Sequence, residues 1–302
     1  AEVGRAVAVI AAPPPPAGWA GKVWALEQGV RHLGDSDGDD APRYLWLCDA
    51  DIGHDPGLLA RLVGKAEADA CDLVSLMVLL EVRGFWGRLL IPPFVFFFRK
   101  LYPFAWVNDP ARRTAAAAGG CVLLRRSALH AAGGFAAIAG AIIDDCALAA
   151  RIKAHGPKRR IWLGLTSSAW SLRPYAGLGA IWRMVARSAY AQLGFSPFVL
   201  AGCVLGMLAL YLLAPAVLLL ALSTGAYVAA GLVGAAWLLM AAAVRPLYRL
   251  YRLRSAWGLL LPFAAALYTA MTVGSAWTTA RGRGGAWKGR FQARHRRNGH
   301  MS

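Results

Sequence analysis

Acidic residues are scarce in this chain, and the low share of charge sets the first limits on its class. The 302 residues include 16 Asp and Glu against 33 Lys and Arg, which gives a formal net charge of +17. Only 16% of the residues are charged while 58% are hydrophobic, which is too apolar for an ordinary soluble domain of this length. Because the apolar residues concentrate after residue 197, the composition predicts a water-soluble part joined to a membrane part.

Several common kinds of site are also missing from the sequence. The five cysteines form no C-x-x-C pair and are odd in number, which excludes a disulfide framework and a zinc site. The six histidines show no H-E-x-x-H spacing, and no P-loop or nucleophile elbow occurs. The positive charge would suit a nucleic acid, but many arginines flank apolar segments, where they would meet anionic lipid headgroups. We therefore expect membrane lipids as partners, and no nucleic acid.

The first 170 residues alternate short apolar runs with helical patterns. This alternation predicts an α/β layer domain. We expect strands at 7–10, 44–48, 73–80, 121–124 and 160–163. We also expect one helix that begins at Asp55-Pro56 and a second helix that spans 144–155. The aromatic and basic segment 84–106 contains Pro92-Pro93 and is too short to span a bilayer. It could be a buried helix or could lie in the membrane interface, and the sequence leaves both open.

The rest of the chain has the composition of a membrane domain. We expect an amphipathic interfacial segment at 171–197, a membrane domain over 198–280 with apolar stretches at about 198–222, 226–244 and 256–279, and a basic tail at 281–302. The arginines of the 245–254 loop place that loop in the cytoplasm by the positive-inside rule. A third crossing would then put the basic tail outside, whereas a re-entrant third stretch would not, and the sequence does not decide between them.

Two aspartates follow directly on the predicted strand 44–48. Asp49 and Asp51 stand at i and i+2, so both carboxylates reach the loop beyond the sheet edge. Hard oxygen ligands there suit Mg²⁺ or Mn²⁺ holding a diphosphate, whose charge the metal would neutralise. A solvated turn is the alternative interpretation, because aspartate is common in turns.

A second acidic pair, Asp144-Asp145, begins a predicted helix. Helix capping is the ordinary explanation of aspartate at such a position. The functional interpretation is a general base that removes the proton from an attacking hydroxyl. The adjacent carboxylate could position the acceptor or raise the pKa of the base.

Three further features could contact phosphate or substrate. Lys22 follows Gly21 at the start of a helical pattern, where phosphate can bind, although a surface lysine is equally ordinary. Gly119-Gly120 precedes a predicted strand, and the missing side chains could admit a substrate or allow close packing. Arg183 and Arg187 lie one turn apart on the amphipathic segment and could bind a diphosphate or lipid headgroups.

The order of these motifs resembles that of family 2 glycosyltransferases. Residues 21–29 resemble their G-K-x-x-A-L-x-x-G helix, and residues 49–51 match their metal motif. Residues 143–151 resemble the E-D-x-x-L-x-x-R helix, with Asp in the place of Glu, and 119–135 and 287–290 are similar to further motifs. The stretches DLVSLMV, IDDCALA and IWLGLT are similar to the hopanoid-associated branch.

The resemblance covers nearly the whole chain and implies an activity. It implies a GT-A type fold, a nucleotide-sugar donor, inversion at the sugar carbon and a lipid or hopanoid acceptor. It also implies a multi-pass protein of the cell (inner) membrane with a cytoplasmic catalytic domain. It implies that Asp49 and Asp51 bind the divalent metal, Mg²⁺ or Mn²⁺, together with the diphosphate. It implies that Asp145 is the catalytic base, with Asp144 beside it. The expected diphosphate and acceptor contacts are Lys22, Arg183, Arg187, Gly119 and Gly120.

Two departures accompany the resemblance. Family members begin with a spanning helix and a strand that bears an acidic nucleotide-binding motif; neither is present, so we expect a domain without its first strand or strands. The Q-x-x-R-W motif of processive and ceramide-type relatives is replaced at 181–187, which argues against a polymer-extruding synthase. The alternatives are a polyprenyl-phosphate or ceramide-type glycosyltransferase and a non-catalytic membrane scaffold that retains the fold.

Overall fold

Five strands form one mixed sheet in the first part of the chain. The computed structural model describes residues 7–34 and 42–282, with the backbone of two short paired strands at 286–287 and 290–291. The five strands of the sheet are β1 Tyr44–Cys48, β2 Ile52–His54, β3 Leu73–Leu79, β4 Cys121–Arg125 and β5 Ile161–Ser171. Their order in space is β1-β4-β3-β5-β2. Because β4 is antiparallel to both neighbours and β5 is parallel to β3, strands β1, β3 and β5 point the same way.

Helices cover both faces of this sheet. The first six are α1 Gly21–His32, α2 Leu58–Ala68, α3 Gly84–Leu101, α4 Phe104–Asn108, α5 Arg126–Ala131 and α6 Asp144–His155. One face is covered by α2, which buries Leu58 and Leu62 against Val74 of β3. The other face packs against α3 and α6. Strand β3 is therefore buried on both faces, which explains why six of its seven residues are apolar.

One edge of the sheet collects the predicted site motifs. Strand β1 ends at Cys48, which pairs with Cys121 at the start of the antiparallel strand β4. The loop after β1 and the glycines before β4 therefore lie at the same edge. The end of β3 lies there as well, and the backbone N–H of Leu80 donates to the hydroxyl of Tyr251 at 3.3 Å. This edge therefore contacts the loop between the last two apolar helices.

Three predictions about the α/β part need correction. The predicted strand at 7–10 is wrong: it pairs with no strand in the described residues and Val7 and Val9 are exposed, because apolar residues form a strand only where a partner is available. The helix expected from Asp55-Pro56 begins at Leu58, after Gly57 in a left-handed conformation with φ of 77°. The short strand at 160–163 extends to 171, since it has partners on both sides.

The aromatic segment forms a helix that is buried on its inner face. Helix α3 contains Pro92 and Pro93 and buries Leu89, Leu90 and Ile91 completely. The hydroxyl of Tyr268 donates a 2.8 Å hydrogen bond to the carbonyl oxygen of Leu90. The interpretation of the aromatic segment as a buried helix is thus correct for the inner face of α3. This face contacts both the sheet and the apolar helix that contains Tyr268.

Residues 177–280 are mostly helical. It consists of α7 Gly177–Ala186, α8 Ala189–Gln192, α9 Pro197–Met207, a π-helical turn Leu208–Leu212, α10 Leu213–Ser223, α11 Tyr227–Leu250, a 3₁₀ segment Ser255–Leu260 and α12 Leu261–Ala280. Three helices are long and apolar enough to cross a membrane: 197–223, 227–250 and 255–280. This confirms the three predicted apolar stretches. The domain boundaries, the cytoplasmic orientation and the topology of the third stretch stay predictions, and most of the basic tail lies outside the described residues.

Candidate active site

Lys22 lies between carboxylates that belong to the two predicted acidic motifs. Its Nζ is 2.9 Å from Asp49 Oδ1 and 3.4 Å from Asp144 Oδ2. Helix α1 is fixed there because the N–H of Ala20 donates to the carbonyl oxygen of Ala139 at 2.6 Å. Burial lowers the pKa of Lys22, but Asp144 and Asp49 together outweigh it, so the pKa lies above its ordinary value. The lysine is therefore held as a cation that connects the two motifs.

Asp145 is oriented by two backbone N–H groups. Its Oδ2 accepts from the N–H of Gly119 and its Oδ1 from the N–H of Cys146, both at 2.8 Å. Burial and the neighbouring Asp144 raise the pKa of Asp145 to about 6, although Lys22 and the two N–H groups act in the opposite direction. A carboxylate with a pKa near neutrality is well matched to accepting a proton from a substrate.

The glycine pair before β4 shapes this site through close packing. A Cβ atom on Gly119 would lie 3.0 Å from Lys22 Nζ and 3.2 Å from Asp145 Oδ2. A Cβ atom on Gly120 would lie 3.1 Å from Val78 Cγ2. Gly119 therefore leaves the space in which the lysine and the aspartate approach each other. Contact of either glycine with an acceptor stays a prediction.

Sequence reasoning missed the residue that holds this loop in place. Ser75 of β3 is fully buried, and its Oγ accepts from the N–H of Ala118 at 2.8 Å while donating to the carbonyl oxygen of Ala118 at 3.2 Å. This pair of hydrogen bonds fixes the residue before Gly119. The one available signal was a lone polar residue inside an apolar strand.

A second missed contact connects the base to the membrane part. The hydroxyl of Tyr102 accepts a hydrogen bond from Gln192 Nε2 of α8. Burial raises the pKa of Tyr102 above its ordinary value, and the Cys146 thiol, next to Asp145 in the chain, adds to this rise. Tyr102 therefore bridges α8 and the start of α6.

Asp51 is bound to the end of β5, the strand that precedes α7 in the chain. Its carbonyl oxygen accepts from the N–H of Leu172 at 2.7 Å, which ties the D-x-D turn to the end of β5. Burial raises the pKa of Tyr175, and the nearest charges that act on this phenol include Arg173, Asp51 and Arg187. The charges of Asp51 and Arg187 thus both act on Tyr175. Tyr175 and Arg173 are additional candidates that the sequence analysis did not select.

Arg183 is less closely connected to this cluster. It is exposed on α7, one helical turn before Arg187. Within the described part of the chain its guanidinium forms no hydrogen bond or ion pair with the site carboxylates. Its proposed contact with a diphosphate therefore stays a prediction that depends on bound substrate.

The D-x-D carboxylates fit a metal whose other ligands come from a substrate. No group of three or more His, Cys, Asp or Glu side chains in the described residues could hold an ion. Mg²⁺ is commonly bound by one or two carboxylates together with substrate phosphates, and Asp49 and Asp51 match that donor set. Asp49 is paired with Lys22, so metal and lysine would share one carboxylate.

A buried carboxylate with a raised pKa, a nearby D-x-D pair and helices apolar enough to cross a membrane are features that fit a membrane-associated group-transfer enzyme. The sequence model of glycosyl transferase family 21 matches residues 40–291. The chain therefore belongs to glycosyl transferase family 21. This confirms the predicted glycosyltransferase class, while the matched family is 21 rather than the predicted family 2. A search of curated proteins finds no match.

Proposed function

We propose that the protein is an inverting glycosyltransferase with a GT-A type domain that transfers a sugar from a nucleotide-sugar to a lipid hydroxyl. One observation carries this proposal. Lys22, Asp49, Asp144 and Asp145 meet at the sheet edge, and that same edge contacts the apolar helices through Leu80 and Tyr251. A water-soluble donor and an apolar acceptor could meet at such a place.

Asp145 acts as the general base in this proposal. It takes the proton of the acceptor hydroxyl while the acceptor oxygen bonds to the anomeric carbon of the sugar. The bond from that carbon to the diphosphate oxygen breaks, and its electron pair leaves with the diphosphate. Attack from the face opposite the leaving group inverts the configuration. The N–H groups of Gly119 and Cys146 hold the carboxylate in place for this step.

Positive charge at the edge supports departure of the diphosphate. Asp49 and Asp51 would hold Mg²⁺ or Mn²⁺, which supplies charge neutralisation to the leaving group when bound. Lys22 lies against Asp49, and the charges of Arg187 and Asp51 both act on Tyr175. These two cations would stabilise the negative charge of the diphosphate.

The acceptor is proposed to be a hopanoid-type lipid. The support is the sequence resemblance to the hopanoid-associated branch, together with the three apolar helices. Ceramide and polyprenyl-phosphate acceptors would use the same chemistry. Competition among the three purified lipids for one labelled donor would rank them, and preference for ceramide or polyprenyl phosphate would replace the hopanoid proposal.

Sugar transfer by the purified full-length chain in lipid nanodiscs tests the function. Radiolabelled nucleotide-sugars are offered with each lipid, with Mg²⁺, with Mn²⁺ and with a chelator. We expect one donor to be used, and the chelator to stop transfer. Asp145→Asn should lower kcat by roughly 10²–10⁴-fold, the usual contribution of a general base, while donor binding by calorimetry persists.

Asp69→Asn is the matched control for that variant. Asp69 lies at the end of α2 and pairs with Lys65 at 2.6 Å, away from the site carboxylates, so its loss should leave kcat unchanged. An unchanged kcat in a folded Asp145→Asn protein would show that Asp145 is not the general base. Donor binding without transfer to any lipid would favour the non-catalytic scaffold.

A further inference from the structure

A buried serine interrupts the apolar side chains of the central strand β3. Ser75 has no exposed surface, and a buried hydroxyl costs free energy unless it is hydrogen-bonded. Neighbours along a strand point to opposite faces of the sheet. Because Val74 packs in the cluster with α2, Ser75 faces the side covered by α3 and α6. The serine therefore points to the side of the sheet on which the candidate base lies.

The hydrogen bonds of Ser75 fix the orientation of one peptide unit. Its Oγ accepts from the N–H of Ala118 at 2.8 Å and donates to the carbonyl oxygen of Ala118 at 3.2 Å. That carbonyl belongs to the peptide unit that also contains the N–H of Gly119. Because a trans peptide is planar and its C=O and N–H point in opposite directions, holding the carbonyl toward Ser75 turns the N–H of Gly119 away from it.

The other side of this peptide unit holds the candidate base. The N–H of Gly119 donates to Asp145 Oδ2 at 2.8 Å. The second N–H on this carboxylate belongs to Cys146, which is adjacent to Asp145 in the chain and moves with it on α6. The bond from Gly119 therefore ties the carboxylate to the sheet. One rigid peptide thus lies between the hydroxyl of Ser75 and the carboxylate of Asp145.

Two other contacts hold the same loop without replacing Ser75. The thiol of Cys146 donates to the carbonyl oxygen of Ala117 at 3.7 Å. The N–H of Cys121 donates to the carbonyl oxygen of Ala118 at 3.4 Å, which is longer than the bond from Ser75. Loss of the serine hydroxyl should therefore leave the loop attached to the sheet, while its 118–119 peptide is held less firmly.

We propose that Ser75 is a positioning residue for the candidate base and acts through the 118–119 peptide that it orients. The inference rests on the proposed function, in which Asp145 takes the proton of the acceptor. Ser75 carries no charge, so its effect on Asp145 is the direction of one hydrogen bond. The titratable groups that surround this carboxylate are Lys22 of α1, Asp144 and Cys146 of α6, and Tyr102 after α3. A serine that only filled the core would change folding and not the base.

A direct titration of Asp145 tests the inference without requiring turnover. The full-length chain, labelled with carbon-13 at its aspartate carboxyl groups, is titrated by NMR in detergent without donor. The signal that is missing from Asp145→Asn belongs to Asp145. Because the N–H of Gly119 lowers the pKa of Asp145, Ser75→Ala, which releases that N–H, should raise this pKa by about one pH unit. The acidic limb of kcat/KM should move to higher pH by the same amount.

Two further replacements of Ser75 separate its hydroxyl from its volume. Ser75→Thr keeps the hydroxyl and should leave both the pKa of Asp145 and the acidic limb at their wild-type values. Ser75→Cys has a weaker donor and should give a smaller rise in the same direction. The cysteine variant decides the question if Ser75→Ala does not fold.

Val74→Ala is the matched control, because Val74 is the fully buried neighbour of Ser75 on β3 and faces α2 instead. It should leave the pKa of Asp145 and the acidic limb unchanged even where it lowers stability. An unchanged pKa of Asp145 in folded Ser75→Ala or Ser75→Cys, or an equal rise in Val74→Ala, would overturn the inference. A wild-type chain that transfers no sugar would instead contradict the proposed function, while the titration, which needs no donor, would still decide the role of Ser75.

Discussion

Two of the three apolar helical spans, α11 and α12 with its preceding 3₁₀ segment, differ in how far they are buried within the protein. In the most apolar window of 255–280, 39% of residues are buried within the protein, against 11% for 227–250. Helix α12 packs on α3, α7 and α8, while α11 exposes Leu238 and Leu239. Apolar side chains gain little by leaving lipid for protein. Burial of α12 therefore marks specific packing on α3, α7 and α8.

Removal of a large side chain from the contact region of α12 should have the largest effect on stability. Leu90 of α3 is fully buried, whereas Leu239 of α11 is 71% exposed. We expect Leu90→Ala to lower the free energy of unfolding by about 2–5 kcal/mol, and Leu239→Ala by less than about 0.5 kcal/mol. Denaturant unfolding in detergent measures both. Equal losses would show that the α3–α12 contact around Leu90 is packed no more tightly than the surroundings of Leu239 on α11.

A single hydrogen bond offers a smaller version of the same comparison. Tyr268→Phe removes the bond to the carbonyl oxygen of Leu90 and should destabilise the protein by about 1 kcal/mol. Tyr227→Phe, at the exposed start of α11, should have no measurable effect. The midpoint of thermal unfolding in detergent distinguishes the two variants, and an unchanged midpoint for both would argue that the α3–α12 contact adds little.

Charges at the sheet edge should shift the pH profile, an effect smaller than those on stability. Asp145 must be ionised to act as a base, so kcat/KM should rise with pH through about 6. Lys22 lowers the pKa of Asp145, so Lys22→Met should move this acidic limb to higher pH. Asp144 raises it, so Asp144→Asn should move the limb to lower pH. Initial rates over a pH series measure both.

Ala270→Phe is the control for these shifts, because it changes α12 without changing a charge. Its acidic limb should coincide with that of the wild type. Shifts of the Lys22 and Asp144 variants in the same direction would mean that the limb reports another group.

Sequence patterns predicted individual elements best where the signal was local. Helix α6 spans 144–155 as predicted from its apolar spacing and Gly156, and β1 and β4 lie where their apolar runs indicated. The strand at 7–10 failed because a strand depends on a neighbour that its own sequence does not specify. The start of α2 shifted because Gly57 takes a left-handed conformation after Asp55-Pro56.

The candidate site was predicted as a set of motifs but not as an arrangement. Sequence order alone selected Lys22, Asp49 and the pair at 144–145, and the structure brings their side chains together. Ser75 and Tyr102 were missed, because their partners are 43 and 90 residues away in the chain. A lone serine or tyrosine carries no pattern that reveals such a contact.

The sequence by itself determined the α/β part, the three apolar helices and the residues able to carry charge and protons. These follow from periodicity, length and side-chain chemistry, which act over a few turns of chain. Only the tertiary structure decided that Lys22 joins the two acidic motifs, that Gly119 gives them room and that α12 packs on α3. Such contacts depend on how distant segments pack around one core, which no local pattern encodes.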